Sequence, residues 1–150
     1  MDQLEQREAL LEAWMSMTAV IRGNRLLKGL SMNEMLVCNV LYRQRQTGGG
    51  PVTATELCRR TRLLKSQINH ILTGMEHRDL IRRVRSETDR RSIHIQLREE
   101  ALPLYETEHG SVMSIVEAVC AQLGPEGIRQ LTDLLTQATG AVAQYQNLKE

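Results

Sequence analysis

The spacing of apolar positions changes character along the 150-residue chain, and each change marks an element. From Leu4 to Lys28, Leu4, Leu11, Met15, Thr18 and Ile21 recur at helical spacing, while Leu10, Trp14, Met17 and Val20 widen the stripe. This pattern predicts an amphipathic helix ended by Gly29. A terminal helix with so wide an apolar face needs a partner helix to cover it. Ser31-Met-Asn-Glu34 then reads as a capping box, with Leu30 and Met35 as its hydrophobic staple. The helix it starts runs to about Gln46, is apolar on most sides, and is therefore expected at the centre of the fold. After the loop Gly48-Gly49-Gly50-Pro51, Thr53-Ala-Thr-Glu56 repeats the capping signal with Val52 and Leu57 as staple.

That second start opens a short helix ending near Thr61, and a longer one follows from about Leu64 to His77 with Ile68, Ile71, Leu72 and Met75 on one face. A short helix, a tight turn and a longer helix outline a helix-turn-helix. Beyond Leu80 the period shortens to two. Ile81-Arg-Arg-Val84 and Ser92-Ile-His-Ile-Gln-Leu97 read as two strands joined by the polar tip Ser86-Glu-Thr-Asp-Arg-Arg91, a β-hairpin with a basic end. Two helices finish the chain, the first holding Val112, Ile115, Val116, Val119 and Leu123. Gly124-Pro125 breaks it from the second, which carries Ile128, Leu131, Leu134, Leu135, Ala138, Ala141, Val142, Tyr145 and Leu148. So regular a C-terminal stripe suggests packing against a second chain.

Charge sharpens the picture. The formal net charge is only +1. Residues 1–58 balance six basic against six acidic side chains, residues 59–97 hold ten basic against four acidic, and residues 98–150 hold three basic against eight acidic. The positive charge is thus gathered in one block of the chain, where a polyanion would bind. On the longer helix, Ser66, His70, Thr73 and His77 lie opposite Ile68, flanked by Gln67 and Asn69. Lys65, Ser66, Gln67, Asn69, His70 and Thr73 form a candidate major-groove set. Asn69 and Gln67 suit adenine, Ser66 suits either role, and His70 suits guanine or a phosphate. Arg59, Arg60, Arg62 and Lys65 surround the turn while Arg82, Arg83 and Arg85 line the hairpin, positions expected to hold phosphates.

Other chemistries find little support. The stretch MDQLEQREALLE is too acidic and polar for a signal peptide, and no apolar run approaches a membrane span, so a cytoplasmic setting is expected. Of the three cysteines, Cys38 and Cys120 read as core, and Cys58 lies near arginines. His70, His77, His94 and His109 include no i,i+4 pair, and His109 with Glu106 or Glu108 reads as surface. No nucleophile elbow, phosphate loop or paired-carboxylate motif is present, so neither enzyme nor cofactor is expected.

The order of elements resembles the MarR family of transcription regulators, most sharply from Leu63 to Arg83 and in Asp89-Arg90-Arg91, which fits the family's Asp-x-Arg hairpin motif. The resemblance implies a mainly α fold with a small β-hairpin wing. Residues 30–97 would form the winged helix-turn-helix, and residues 1–29 and 98–150 the dimerisation helices of one 150-residue domain. It further implies a homodimer on double-stranded DNA, with Arg91, beside Arg90, reaching the minor groove and Asp89 bracing it. Release by a small, often phenolic effector or by an oxidant is also part of what it implies. This chain departs from the family at Arg98, where Thr is common. Pro103 close behind is expected to delay or kink the helix, and Gly74 sits inside the reading helix at a cost of ~1 kcal/mol. The competing expectation is a winged-helix module docking on an acidic protein.

Overall fold

The computed structural model describes residues 2–23 and 25–149. Its helices are α1 (Gln3–Gly23), α2 (Met32–Gln46), α3 (Ala54–Thr61), α4 (Lys65–His77) and α5 (Leu102–Asn147), with strands β1 (Ile81–Arg85) and β2 (Ile93–Leu97) between α4 and α5. β1 and β2 pair antiparallel, Ile81 opposite Leu97 and Arg85 opposite Ile93. Val52 adds a single bridge to Ile95, whose N–H donates to the Val52 carbonyl at 2.7 Å. The fold is therefore helical with a small hairpin, as the pattern implies.

One core organises residues 30–105. Val37, Cys38, Leu57, Ile68, Leu72, Met75 and Ile81 are its fully buried side chains. α2 is central, contributing Met35, Val37, Cys38, Val40 and Leu41. Its capping box is complete: the Glu34 N–H donates to Ser31 Oγ at 3.1 Å, and the Ser31 N–H to Glu34 Oε1 at 3.2 Å. The second box is half built. The Glu56 N–H donates to Thr53 Oγ1 at 3.2 Å, but the Glu56 carboxylate turns to Arg59 instead of back to its own cap. Both staple pairs, Leu30 with Met35 and Val52 with Leu57, are buried in this core.

The first helix stops at Gly23, earlier than its apolar spacing suggests; Asn24, inside the expected span, lies outside the described residues. Gly29 has a different task. Its N–H donates to Glu108 Oε1 at 2.8 Å, and a Cβ there would lie 2.7 Å from Leu104 Cδ1. The Lys28 N–H donates to the same carboxylate at 3.1 Å. Glu108 is thus buried in α5 as the anchor of the α1–α2 connection, correcting its expected place at the surface. Glu108→Ala strands those donors and is expected to destabilise the fold by about 1–3 kcal/mol. Urea unfolding checks this, and an unchanged midpoint would show that the anchor carries no stability.

After β2, Arg98 opens a 3-10 turn, Glu99–Ala101, without a side-chain cap, and the α-helix begins only at Leu102 with Pro103 in its first turn. This is the expected delay. α5 is then broken at Gly124, whose φ of 68° and ψ of 173° suit glycine almost alone, just before Pro125. The two expected terminal helices are its halves, 102–123 and 125–147. Past Glu108 no side chain of α5 is buried, and none of α1 is. Cys120, expected in a core, is accordingly only half-buried, because its stretch of α5 has left the body of the chain.

Candidate nucleic-acid interface

α3 is seated by Leu57 and Thr61, whose hydroxyl donates to the Leu57 carbonyl at 2.7 Å and accepts the Leu63 N–H at 3.3 Å. The chain then turns at Arg62, which adopts a left-handed φ of 63° and donates its N–H to the Cys58 carbonyl at 2.9 Å. Leu64 occupies the cap position of α4 and has no side-chain acceptor. Gln67 supplies the missing group, its Oε1 accepting the Leu64 N–H at 3.0 Å.

Burial of Ile68, Leu72 and Met75 fixes which way α4 faces. Lys65, Ser66, Gln67, Asn69, His70 and Thr73 are all exposed. Among the described residues the side chains of Ser66, Asn69 and His70 have no hydrogen-bond partner. Gln67 has one: a two-pronged contact with adenine requires its Oε1 to leave the helix cap. Thr73 donates its hydroxyl to the Asn69 carbonyl at 2.9 Å and accepts from Arg83 Nη2 at 3.1 Å.

The hairpin tip is built around Ser86, which is buried although it lies in a polar turn. Its Oγ accepts the N–H groups of Thr88 at 3.3 Å and Asp89 at 3.2 Å. Asp89 Oδ1 accepts the backbone N–H of Arg91 at 3.0 Å, so it braces the backbone of that arginine, not its guanidinium. Arg85 Nη1 donates to the Arg90 carbonyl at 3.3 Å. Arg90 and Arg91 are exposed, with no partner for either guanidinium among the described residues.

The six expected phosphate arginines separate into kinds. Arg62 and Arg85 have no carboxylate partner among the described residues. Arg59 is paired with Glu56 at 2.6 Å, and its hydrogen bond holds the Glu56 carboxyl below the ordinary range. Arg60 Nη1 donates to Gln44 Oε1 at 3.0 Å. Arg82 Nε donates across the strands to Gln96 Oε1 at 2.8 Å. By alternation Arg82 lies on the hairpin face opposite Arg83, lining a cavity of about 590 Å³ with Arg45, His94 and Arg98. Arg83 lies against α4. Alternation also separates Ile81 from Val84. Ile81 is core, whereas Val84 is 36% exposed, so the apolar start of the hairpin reads as one face only at its base.

Arg78 belongs to the basic block but not to its free charge. It pairs with Glu34 at 2.6 Å and donates to the Gly29 carbonyl at 2.5 Å, tying the end of α4 to the start of α2. Cys38 is buried, and burial pushes its thiol up to about 12, which keeps it protonated. Cys58 is partly buried against the core.

The segment that carries this geometry, residues 28–92, matches the model of the MarR family. That segment belongs to the MarR family. Proteins of that family are DNA-binding transcription regulators and not enzymes. Solved structures extend the likeness of fold beyond the MarR-family segment. The PcaV transcriptional regulator from Streptomyces coelicolor, solved with its natural ligand, superposes with a TM-score of 0.75 at 17% identity over 95% of this chain and 98% of that one. The Bordetella bronchiseptica regulator BpsR, whose DNA binding is regulated by 6-hydroxynicotinic acid, gives 0.72 at 16% identity over 88% and 91%. MepR of S. aureus, solved on DNA, gives 0.66 at 16% identity over 89% and 92%. A search of curated proteins finds no match. No helix among the described residues is long and apolar enough to cross a membrane.

Proposed function

We propose that the chain acts as a homodimeric repressor on an inverted-repeat DNA site, with α4 in the major groove and the Arg90–Arg91 tip in the minor groove. The observation that carries this reading is exposure without partners: the side chains of Ser66, Asn69 and His70 on α4, of Arg62 and Lys65 at its start, and of Arg90 and Arg91 at the hairpin tip are all exposed and unpaired among the described residues. Side chains of this kind read base edges, and unpaired cations hold the phosphates that set register.

The second chain is supported by the apolar faces of α1 and of residues 125–147. Leu10, Trp14, Met15, Leu134 and Tyr145 are each more than half exposed here. A C2 pair would cover both faces and set two α4 helices about one DNA turn apart. Residues 1–29 and 98–150 are on this reading the dimerisation helices.

A small aromatic effector would release the DNA by shifting the spacing of the two helices. The cavity between the end of α2 and the base of the hairpin, lined by Arg82 and Arg98 and also by Glu99 and Glu100, is large enough to admit such a molecule.

Gel shifts with fragments of the source genome, at several salt concentrations, test the function. The proposal expects a few fragments to shift far more tightly than bulk duplex, each containing an inverted repeat. Equal retention of every duplex, with tight capture of an acidic protein instead, would favour a protein-docking module.

A further inference from the structure

Arg83 is the hairpin arginine whose guanidinium turns inward. Its Nη2 donates to Thr73 Oγ1 at 3.1 Å and to the Asn69 carbonyl at 3.4 Å. Its backbone N–H donates to Glu76 Oε2 at 3.2 Å. Its Nε is buried without a partner among the described residues, although the residue as a whole is half-buried. Thr73 closes the arrangement by donating to the same Asn69 carbonyl at 2.9 Å.

We infer that Arg83 is a positioning residue that locks the hairpin to the reading helix and so sets base selectivity, without itself holding a phosphate. The inference rests on the DNA-binding reading above. Its physical basis is the leverage of a helix. Side-chain tips lie ~6 Å from the helix axis. A turn of ~10° about that axis therefore moves a tip by ~1 Å, which takes a hydrogen bond from good geometry to none.

Arg83 grips α4 at the residue that carries the free Asn69 side chain and one helical turn further on. It enters from the strand that leads to the Arg90–Arg91 tip. Helix rotation and tip position are thereby joined through one guanidinium. Both contacts are made by the single Nη2, and a lysine side chain, one bond shorter and without the guanidinium plane, does not bring its ammonium to that position.

The test compares wild type with Arg83→Gln, Arg83→Lys and Thr73→Val on one selected fragment and on random duplex, across a salt series. Thermal unfolding of each variant is followed alongside. Arg83→Gln is expected to weaken binding to the selected fragment by ~10–100-fold, with a much smaller loss on random duplex. The slope of log affinity against log salt should stay that of wild type, and Arg83→Lys should not rescue. Thr73→Val, which removes the hydroxyl that accepts from Arg83 and donates to the Asn69 carbonyl, should weaken selectivity in the same direction, and the double variant should lose no more than Arg83→Gln.

A slope shallower by ~1.8, the share of one neutralised phosphate in each of the two chains, together with equal weakening on both duplexes, would make Arg83 a phosphate ligand and overturn the inference. So would strictly additive effects in the double variant. If Arg83→Gln fails to fold, Thr73→Val alone decides, by retaining or losing selectivity at constant slope. Wild type binding no duplex would refute the DNA reading itself, a result separate from wild type binding while the variants match it.

Discussion

Raising salt from 50 to 200 mM is expected to weaken binding to the cognate duplex by roughly 10³–10⁵-fold. The size follows from which cations are free. Arg62, Lys65, Arg85, Arg90 and Arg91 have no carboxylate partner among the described residues, so each can displace a counterion from DNA. Arg59 and Arg78 already hold Glu56 and Glu34 and should add little. Two chains then offer about the 6–10 phosphate contacts that produce so steep a dependence. Fluorescence anisotropy on a labelled duplex measures it. Arg91→Ala should reduce affinity at every salt while leaving the unfolding midpoint unchanged. A salt response equivalent to only one or two phosphates would mean that the arginines face solvent.

The second large effect concerns assembly. If the chain pairs as proposed, Leu135→Asp should leave it monomeric at micromolar concentration. Leu135 is 49% exposed and Leu134 62% exposed, on a stretch of α5 that contributes no buried residue to this chain. The substitution therefore leaves the core from Leu30 to Tyr105 untouched. At a covered interface it removes a leucine worth about 1.5–3 kcal/mol and inserts a charge, and twofold symmetry applies the loss twice. A penalty of ~6 kcal/mol corresponds to more than 10⁴-fold in dissociation constant. Sedimentation equilibrium reads the outcome. A variant that remains dimeric would place the interface away from this helix, and a monomer that still selects inverted repeats would break the link between assembly and site symmetry.

Local signals were the legible ones. Ser31 and Glu34 lie three residues apart, and a box so short is complete in the sequence itself. The break at Gly124-Pro125, the delay after Arg98 and the buried side of α4 were equally readable, because period and proline act within a turn or two of the chain. Contacts across long separations left no such trace. Nothing in the sequence near Glu108 says that it will meet the N–H groups of Lys28 and Gly29, and nothing near Arg78 names Glu34. Glu56 matched the capping pattern but had a closer cation one turn on, in Arg59. Arg83 counted as one more positive charge until strand alternation set it against α4. Ser86 could have been found: Ser-x-Thr-Asp is a sequence that folds its hydroxyl onto the following N–H groups.

Hydroxyl-radical footprinting of a selected fragment puts the paired reading of DNA to the most direct test. Two protected patches are expected, related by a twofold axis, with centres a whole number of helical turns of ~10 base pairs apart. Minor-groove protection beside them should disappear in Arg91→Ala. A single unsymmetric patch, or protection spread evenly along the fragment, would contradict a symmetric pair of reading helices.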